Sequence, residues 1–238
     1  MNIVFLAAGK GSRFNKQFEN KFLIKINKKK TISDILLKNL NKTKINKTIV
    51  VIGHNKKNIK EKLSNKNITF VYNKYFKKKD MLHSLIMGLK SSNSNTIISY
   101  TDIIYSENLI KKIIKNRSNY ITIPVNNNWK KIWKIRKKLE TSDAESLIYD
   151  KNFKLKEIGE RLNKKTKSQF MGLVYIPKEK INTVIKFYKK IKNKKMQTTG
   201  FLNFILKKKI IIKVLPNNEK WYEFDDYNDL INYKNNVN

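Results

Sequence analysis

Along the first half of the chain, short runs rich in β-branched residues alternate with longer segments whose apolar positions recur every three or four residues. Five of the short runs read as strands: Ile3–Ala7, Thr48–Ile52, Ile68–Tyr72, Thr96–Tyr100 and Tyr120–Ile123, each bounded by Asn, Ser, Gly or Pro. Between them, Ser33–Leu40 carries Ile35, Leu36 and Leu40 on one helical stripe, Asp80–Lys90 brings Leu82, Leu85, Ile86 and Leu89 to one face, and Glu107–Lys115 repeats the pattern. Strands that alternate with helices predict an α/β fold with a largely parallel sheet covered on both sides.

The rhythm breaks after Pro124. Asn126–Asn128 signals a loop, and a basic segment with Trp129 and Trp133 follows. Strands are expected at Glu145–Tyr149 and Phe170–Ile176 around a turn-rich stretch, then helices at Glu179–Lys190 and Thr198–Leu206 and a last strand at Ile210–Leu215. No repeat and no Pro- or Ser-rich linker interrupts the chain. Residues 1–238 therefore read as one domain with a small inserted subregion, in two halves, 1–124 and 125–238.

Composition narrows the classes. The 238 residues are 40% hydrophobic, enough for a sizeable core despite 30% charged positions, so a folded protein is expected. Cysteine is absent, which removes disulfides, thiolate metal sites and cysteine nucleophiles. No stretch reaches the roughly 18 apolar residues of a membrane-spanning helix. The apolar run Ile3–Ala8 lacks a preceding basic region and falls short of the roughly 7 to 15 residues of a signal core. A cytoplasmic protein without membrane insertion is the expectation.

The 53 Lys+Arg against 18 Asp+Glu leave a net charge of +35, and this raises nucleic acid as a partner. The excess runs from end to end, however, and only four of the cations are arginines, Arg13, Arg117, Arg136 and Arg161. Arginine is the side chain that grips phosphates and base edges bidentately. The lysines come with a matching abundance of Asn and Ile, so they read as a solvated surface that attracts anionic substrates rather than as a specific nucleic-acid face. A noncatalytic polyanion-binding protein is the alternative from another class.

The most informative segment follows the first strand: Leu6-Ala7-Ala8-Gly9-Lys10-Gly11-Ser12-Arg13-Phe14. Two of the three alanines and two of the seven glycines in the chain fall within five positions there, so small residues are required. Gly9 and Gly11 can adopt positive φ and bring backbone N–H groups onto an anion, at the carboxyl edge of a sheet where α/β proteins bind ligands. Arg13 adds a permanent cation. Spacing excludes a dinucleotide fingerprint, which needs Gly where Phe14 stands, and a Walker A loop. An ordinary tight strand-to-helix turn also accounts for an isolated Gly-x-Gly.

Leu6 to Phe14 resembles the signature loop of the nucleotidyltransferase family that includes sugar-1-phosphate nucleotidylyltransferases and phosphocholine cytidylyltransferases. Asn20-Lys21-Phe22-Leu23 is similar to the family's Pro-Lys-x-Leu, with Asn for Pro. Asp102 in Ser99-Tyr100-Thr101-Asp102-Ile103 stands where the family places an Asp after the fourth strand. Trp221-Tyr222-Glu223-Phe224-Asp225, then Asp229-Leu230, resembles its Trp-x-Glu-Ile-Asp and Asp-Leu. The resemblance spans nearly the whole chain. It implies a Rossmann-like, mostly parallel mixed sheet of GT-A-like architecture, with residues 1–124 binding the nucleotide and 125–238 the acceptor.

It also implies roles. Leu6, Ala7, Ala8, Gly9, Lys10 and Gly11, with Ser84, would line the nucleotide site, and Arg13 and Lys21 would act on the phosphates as catalytic cations. Asp102 and Asp225, hard oxygen ligands, would hold Mg²⁺ against the triphosphate. Asn73-Lys74-Tyr75 with Ser84-Leu85 is similar to a segment of the cytidylyltransferases for small phospho- or phosphono-compounds. Segments around Asp143-Ala144-Glu145 and Phe170-Met171-Gly172-Leu173 resemble transferases of phosphonate and surface-polymer metabolism. CTP is thus the expected donor, and a phosphocholine- or 2-aminoethylphosphonate-type compound the expected acceptor. An amine on the acceptor calls for aromatic faces and a carboxylate, for which Trp129, Trp133, Tyr222 and Glu223 are available; packing of an inserted segment on the core is the favoured reading of both tryptophans.

Several alternatives stay open. A sugar-1-phosphate nucleotidylyltransferase using UTP, dTTP or CTP is the rival enzyme. Asp102 also reads as a turn or capping residue before Ser106 and Glu107, and Asp226 competes with Asp225, though spacing from Trp221 favours Asp225 as ligand and Asp226 as N-cap of a last helix. His54 and His83 are weaker catalytic candidates. Neither the acceptor nor the oligomeric state is identified by the sequence.

Overall fold

The computed structural model describes residues 1–11, 14, 20–77, 81–138, 144–191 and 196–236. The first strand, β1 (Asn2–Ala7), is buried at every position. Alternation along it divides its side chains between two cores: Ile3, Phe5 and Ala7 enter one, and Val4, Leu6 and the following Ala8 enter the other. This is why the strand reads as an unbroken apolar run rather than as alternating apolar and polar residues.

Parallel neighbours flank β1. β2 (Lys47–Ile52) pairs on one side and β4 (Thr96–Ser99) on the other, and β3 (Ile68–Tyr72) adds in parallel beyond β2. Past β4 the sheet becomes mixed. β10 (Leu173–Ile176) runs antiparallel to β4 and to β6 (Ile121–Asn126), and β11 (Ile212–Asn217) lies parallel to β6 at the edge. The order is β11-β6-β10-β4-β1-β2-β3, with the short β9 (Gln169–Phe170) paired to β6. Strands from both halves of the chain thus join one sheet, the mostly parallel mixed sheet expected.

Helices cover both faces. α1 (Ile32–Lys38) and α4 (Glu107–Lys115) bury Ile32, Leu36, Leu109 and Ile113 in the first core; α3 (Met81–Lys90), α6 (Lys178–Lys190) and α7 (Thr198–Lys207) bury Leu82, Ile86, Val184 and Phe201 in the second. Each such side chain contributes about 1.5–3 kcal/mol when fully buried. α1 starts at a capping box in which Thr31 and Asp34 satisfy each other's backbone N–H groups. α2 (Lys56–Lys62) completes the first half.

Four differences from the expected elements have local causes. The strand expected over Phe170–Ile176 is split into β9 and β10 by Gly172, which takes φ +75°, and a Cβ there would sit 3.0 Å from the Tyr100 ring. The turn-rich stretch after β7 (Glu145–Tyr149) contains a strand, β8 (Leu155–Arg161), whose register with β7 shifts, so no clean alternation marks it. The basic segment after Pro124 forms a helix, α5 (Trp129–Arg136), burying Trp129, Trp133 and Arg136 at i, i+4 and i+7. Finally, β11 is not the last strand: β12 (Trp221–Glu223) pairs antiparallel with β5 (Ile103–Tyr105), and α8 (Tyr227–Asn236) closes the chain. Among the described residues no helix is long and apolar enough to cross a membrane.

Candidate active site

At the carboxyl end of β1 the chain runs through Ala8, Gly9, Lys10 and Gly11 along the wall of a cavity of about 340 Å³, which Leu6 and Ala7 also line. Gly11 takes positive φ, 63°, whereas Gly9, expected to do the same, does not. A Cβ on Gly9 would point into open space, so nothing crowds the chain on that side. Ser12 and Arg13 lie outside the described residues. The turn is held by Asn20, which also lines the cavity: its Nδ2 donates to the carbonyls of Ala7 (3.0 Å) and Gly9 (3.3 Å), and its Oδ1 accepts from Phe22 N–H (2.9 Å). Asn20 thereby caps the 3-10 turn Lys21–Leu23 and fixes where Lys21 departs.

Lys21 reaches across to two carboxylates remote in sequence. Its Nζ lies 3.0 Å from Asp102 Oδ2 and 3.9 Å from Asp225 Oδ1. Backbone bonds bring the carboxylates together: Phe224 N–H donates to the Asp102 carbonyl at 2.8 Å, directly beyond the β5–β12 pairing of Ile103 with Glu223. Thr101 Oγ1, donating to the Leu6 carbonyl at 3.0 Å, ties this loop to β1. The helix-capping alternative for Asp102 is not realised, because Ser106 caps α4. Asp102 Oδ1 is buried without a hydrogen-bond partner, which is costly for a carboxylate oxygen unless a cation meets it. The pair thus fits a hard divalent ion that completes its shell with phosphate and water oxygens.

Asp225 and Asp226 face different partners, and Asp226 caps the last helix as expected. Asp226 Oδ1 accepts from Asp229 N–H at 3.1 Å at the head of α8, while Asp225 turns to Lys21 and to Arg136 Nη2, 2.6 Å from its Oδ2. Arg136 also holds Glu223, with Nη1 3.0 Å from Oε2. Burial, reinforced by the charge of Asp225 and only partly offset by Arg136, pushes the Glu223 carboxyl up to about 8.

Glu223 and Asp225 border a second cavity, of about 210 Å³, with Tyr100, Trp133, Glu145 and Gln169. Trp133 Nε1 donates to Gln169 Oε1 at 2.6 Å, which leaves an aromatic wall beside the carboxylates. Trp129 and Tyr222 do not share this role. Tyr222 is 2% exposed, its hydroxyl donates to the Asp229 carbonyl, and its ring packs against Phe224 and Tyr233. Trp129, equally buried, packs edge-on against Trp133. Both are packing residues, as large aromatics at helical or strand spacing commonly are.

Ser84 lines the first cavity, its Oγ accepting from Asn73 Nδ2 at 3.0 Å, so the two parts of the Asn73…Ser84 segment meet. His54 donates its backbone N–H to the Ala8 carbonyl and rests its ring near Phe76. The His83 ring pairs with the Tyr188 hydroxyl at 2.8 Å. Neither histidine joins the Lys21–Asp102–Asp225 group. Sequence reasoning assigned no role to Asn20, noticed only as a replaced proline, or to Arg136, noticed only as one of four arginines and within a segment of family resemblance. The signal for Arg136 was its i+7 spacing from Trp129, which places a cation on an apolar helix face.

Comparison with known proteins gives this arrangement a context. The chain is 29% identical to CTP:phosphoglutamine cytidylyltransferase of Campylobacter jejuni subsp. jejuni serotype O:2, over 97% of this chain and 98% of the relative. Its fold matches CTP:phosphocholine cytidylyltransferase from Streptococcus pneumoniae with a TM-score of 0.77 at 15% identity, covering 100% of this chain and 99% of the other. The inositol-1-phosphate CTP transferase from T. maritima matches with a TM-score of 0.79 at 15% identity, over 99% and 96%. Residues 3–163, from the first strand through the glycine turn, Lys21 and Asp102 to the β7–β8 hairpin, match the model of the MobA-like NTP transferase domain, and the chain is a nucleotidyltransferase of that family.

Proposed function

We propose that this enzyme transfers CMP from CTP to a small phosphorylated or phosphonylated acceptor of the phosphocholine or 2-aminoethylphosphonate type, in a magnesium-dependent reaction that releases pyrophosphate. An acceptor oxygen forms a bond to the α-phosphorus as the bond to the β-phosphate oxygen breaks, and pyrophosphate carries away the displaced electron pair. The acceptor oxygen is already anionic, so no strong general base is needed. The observation that carries the reading is the convergence of Asp102 and Asp225 on Lys21, where Lys21 and Asp102 line one cavity with the glycine turn.

Each group then has work matched to its place. The turn from Ala8 to Gly11 receives the triphosphate, and the Lys21 ammonium moves within its reach onto the α-phosphate or the incoming phosphate to stabilise developing charge. Asp102 and Asp225 would hold Mg²⁺, which when bound neutralises the phosphates and orients them in line. Glu145 in the second cavity favours a cationic nitrogen on the acceptor, while Glu223, its carboxyl pushed up to about 8, offers a hydrogen-bonding group rather than a full charge. The C. jejuni relative, named for phosphoglutamine, supports both CTP and a phosphorylated amine-bearing acceptor.

The test is pyrophosphate release with Mg²⁺, crossing CTP, UTP, ATP, GTP and dTTP with phosphocholine, 2-aminoethylphosphonate, phosphoglutamine and several sugar-1-phosphates. Turnover is expected with CTP and an amine-bearing acceptor and is abolished in Asp102→Ala and Asp225→Ala. Turnover with a sugar-1-phosphate and UTP or dTTP selects the sugar-nucleotide reading, and full activity in both variants sinks the metal assignment.

A further inference from the structure

Arg136 is the most heavily engaged cation described in this protein. Its side chain is 1% exposed, and its nitrogens meet three carboxylates: Nε lies 2.9 Å from Asp229 Oδ1, Nη2 lies 3.0 Å from Asp229 Oδ2 and 2.6 Å from Asp225 Oδ2, and Nη1 lies 3.0 Å from Glu223 Oε2. Burying a guanidinium is costly unless every donor is matched, and a lysine could not replace it, since an ammonium is a point charge without the planar fork. Four of the 53 cations in the chain are arginines, and one of them stands here.

The fork has an orienting consequence. Asp229 is 0% exposed and grips the guanidinium with both oxygens. Its Oδ2 also accepts the backbone N–H groups of Asp225 (2.8 Å) and Asp226 (3.2 Å). Asp225 is therefore held twice by one buried unit, by its backbone through Asp229 and by its Oδ2 through Arg136. Its Oδ1 is left on the side of Lys21, 3.9 Å from Nζ, toward Asp102.

We propose that Arg136 is a positioning residue for cytidylyl transfer: anchored by Asp229, it locks the Asp225 carboxylate with one oxygen against the guanidinium and the other toward Asp102, and so sets the enzyme's affinity for its divalent ion. This inference rests on the metal role proposed for Asp102 and Asp225. Losing a partner that orients a ligating carboxylate weakens metal binding by roughly 10- to 100-fold.

The experiment uses the full chain with CTP present. Mn²⁺ binding is titrated by electron paramagnetic resonance, and the Mg²⁺ concentration for half-maximal pyrophosphate release is measured, in wild type, Arg136→Lys, Asp229→Asn and Asp225→Asn. Circular dichroism checks the fold. Arg136→Lys is expected to weaken Mn²⁺ binding and raise the Mg²⁺ requirement about tenfold, with kcat recovering toward wild type at saturating Mg²⁺ and KM for CTP little changed. Asp229→Asn keeps the guanidinium itself but has one acceptor oxygen where Asp229 has two, so it cannot meet both Arg136 and the Asp225 and Asp226 N–H groups; it is expected to shift both readouts in the same direction, and it carries the test if Arg136→Lys does not fold. Wild-type Mn²⁺ affinity and Mg²⁺ requirement in the folded variants, with Asp225→Asn impaired, overturn the positioning role alone. Equal Mn²⁺ binding by wild type and Asp225→Asn overturns the metal reading and this inference with it.

Discussion

Lys21 Nζ donates to Asp102 Oδ2 at 3.0 Å, joining the turn that leaves β1 to the loop that leaves β4. Neither residue is more than 16% exposed in its side chain, so the pair sits in a medium where a fixed charge acts more strongly than in water. Lys21→Met is expected to lower kcat by roughly 10²–10³ while the circular dichroism spectrum is retained. Steady-state pyrophosphate release checks this, and a kcat within threefold of wild type would remove Lys21 from the chemistry.

Asn20→Ala removes the two side-chain bonds to the Ala7 and Gly9 carbonyls and the cap on Phe22 N–H. The glycine turn is left without these bonds. KM for CTP should rise by roughly tenfold, through a looser nucleotide wall, and stability should fall by about 1–2 kcal/mol. Initial rates against CTP concentration and urea unfolding measure the two effects.

Trp133 and Tyr222 test the proposed acceptor site against packing. Trp133→Phe loses the bond to Gln169 in the wall of the second cavity and should raise the acceptor KM several-fold with CTP kinetics intact. Tyr222→Phe loses a buried bond to the Asp229 carbonyl, about 1 kcal/mol of stability, and should leave the acceptor KM unchanged. An acceptor KM that responds to Tyr222→Phe and not to Trp133→Phe would reverse the assignment.

The capping box of α1 gives a pH signature far from the site. Burial alone would raise the Asp34 carboxyl, but the Thr31 N–H and hydroxyl, with the Lys62 charge, outweigh it and hold the group below its ordinary 3.8. Its stabilisation is therefore fully present above that value and disappears as pH falls through the lower folded value. Asp34→Asn should cost about 1 kcal/mol at pH 7, a gap that closes below about pH 4. Urea midpoints of both proteins across pH 3 to 7 test the sign.

Legibility in the sequence followed burial symmetry. Strands buried on both faces, such as β1, announce themselves as apolar runs, and helices with a single stripe, such as α3 and α4, by their period. β8 escaped because its shifted register with β7 breaks the alternation, and α5 because its buried face ends in Arg136, which reads as surface until its three acidic partners are in place. At the site, Lys21, Asp102 and Asp225 were legible as motifs. Their convergence was not, since it depends on Phe224 N–H reaching the Asp102 carbonyl across the junction of two short strands.

The two cavities are built from almost disjoint stretches of polypeptide. Residues between Leu6 and Asp102 wall the first, and residues between Trp133 and Asp225 wall the second apart from Tyr100. Lys21, reaching toward Asp225, is the hinge point of this division. On the proposed function such a layout is modular: the lining around Glu145, Gln169 and Trp133 could be exchanged to admit a different small molecule while the wall from Leu6 to Asp102 stays as it is. Re-targeting this enzyme would then mean editing that lining while sparing Asp225 and the Arg136 that holds it.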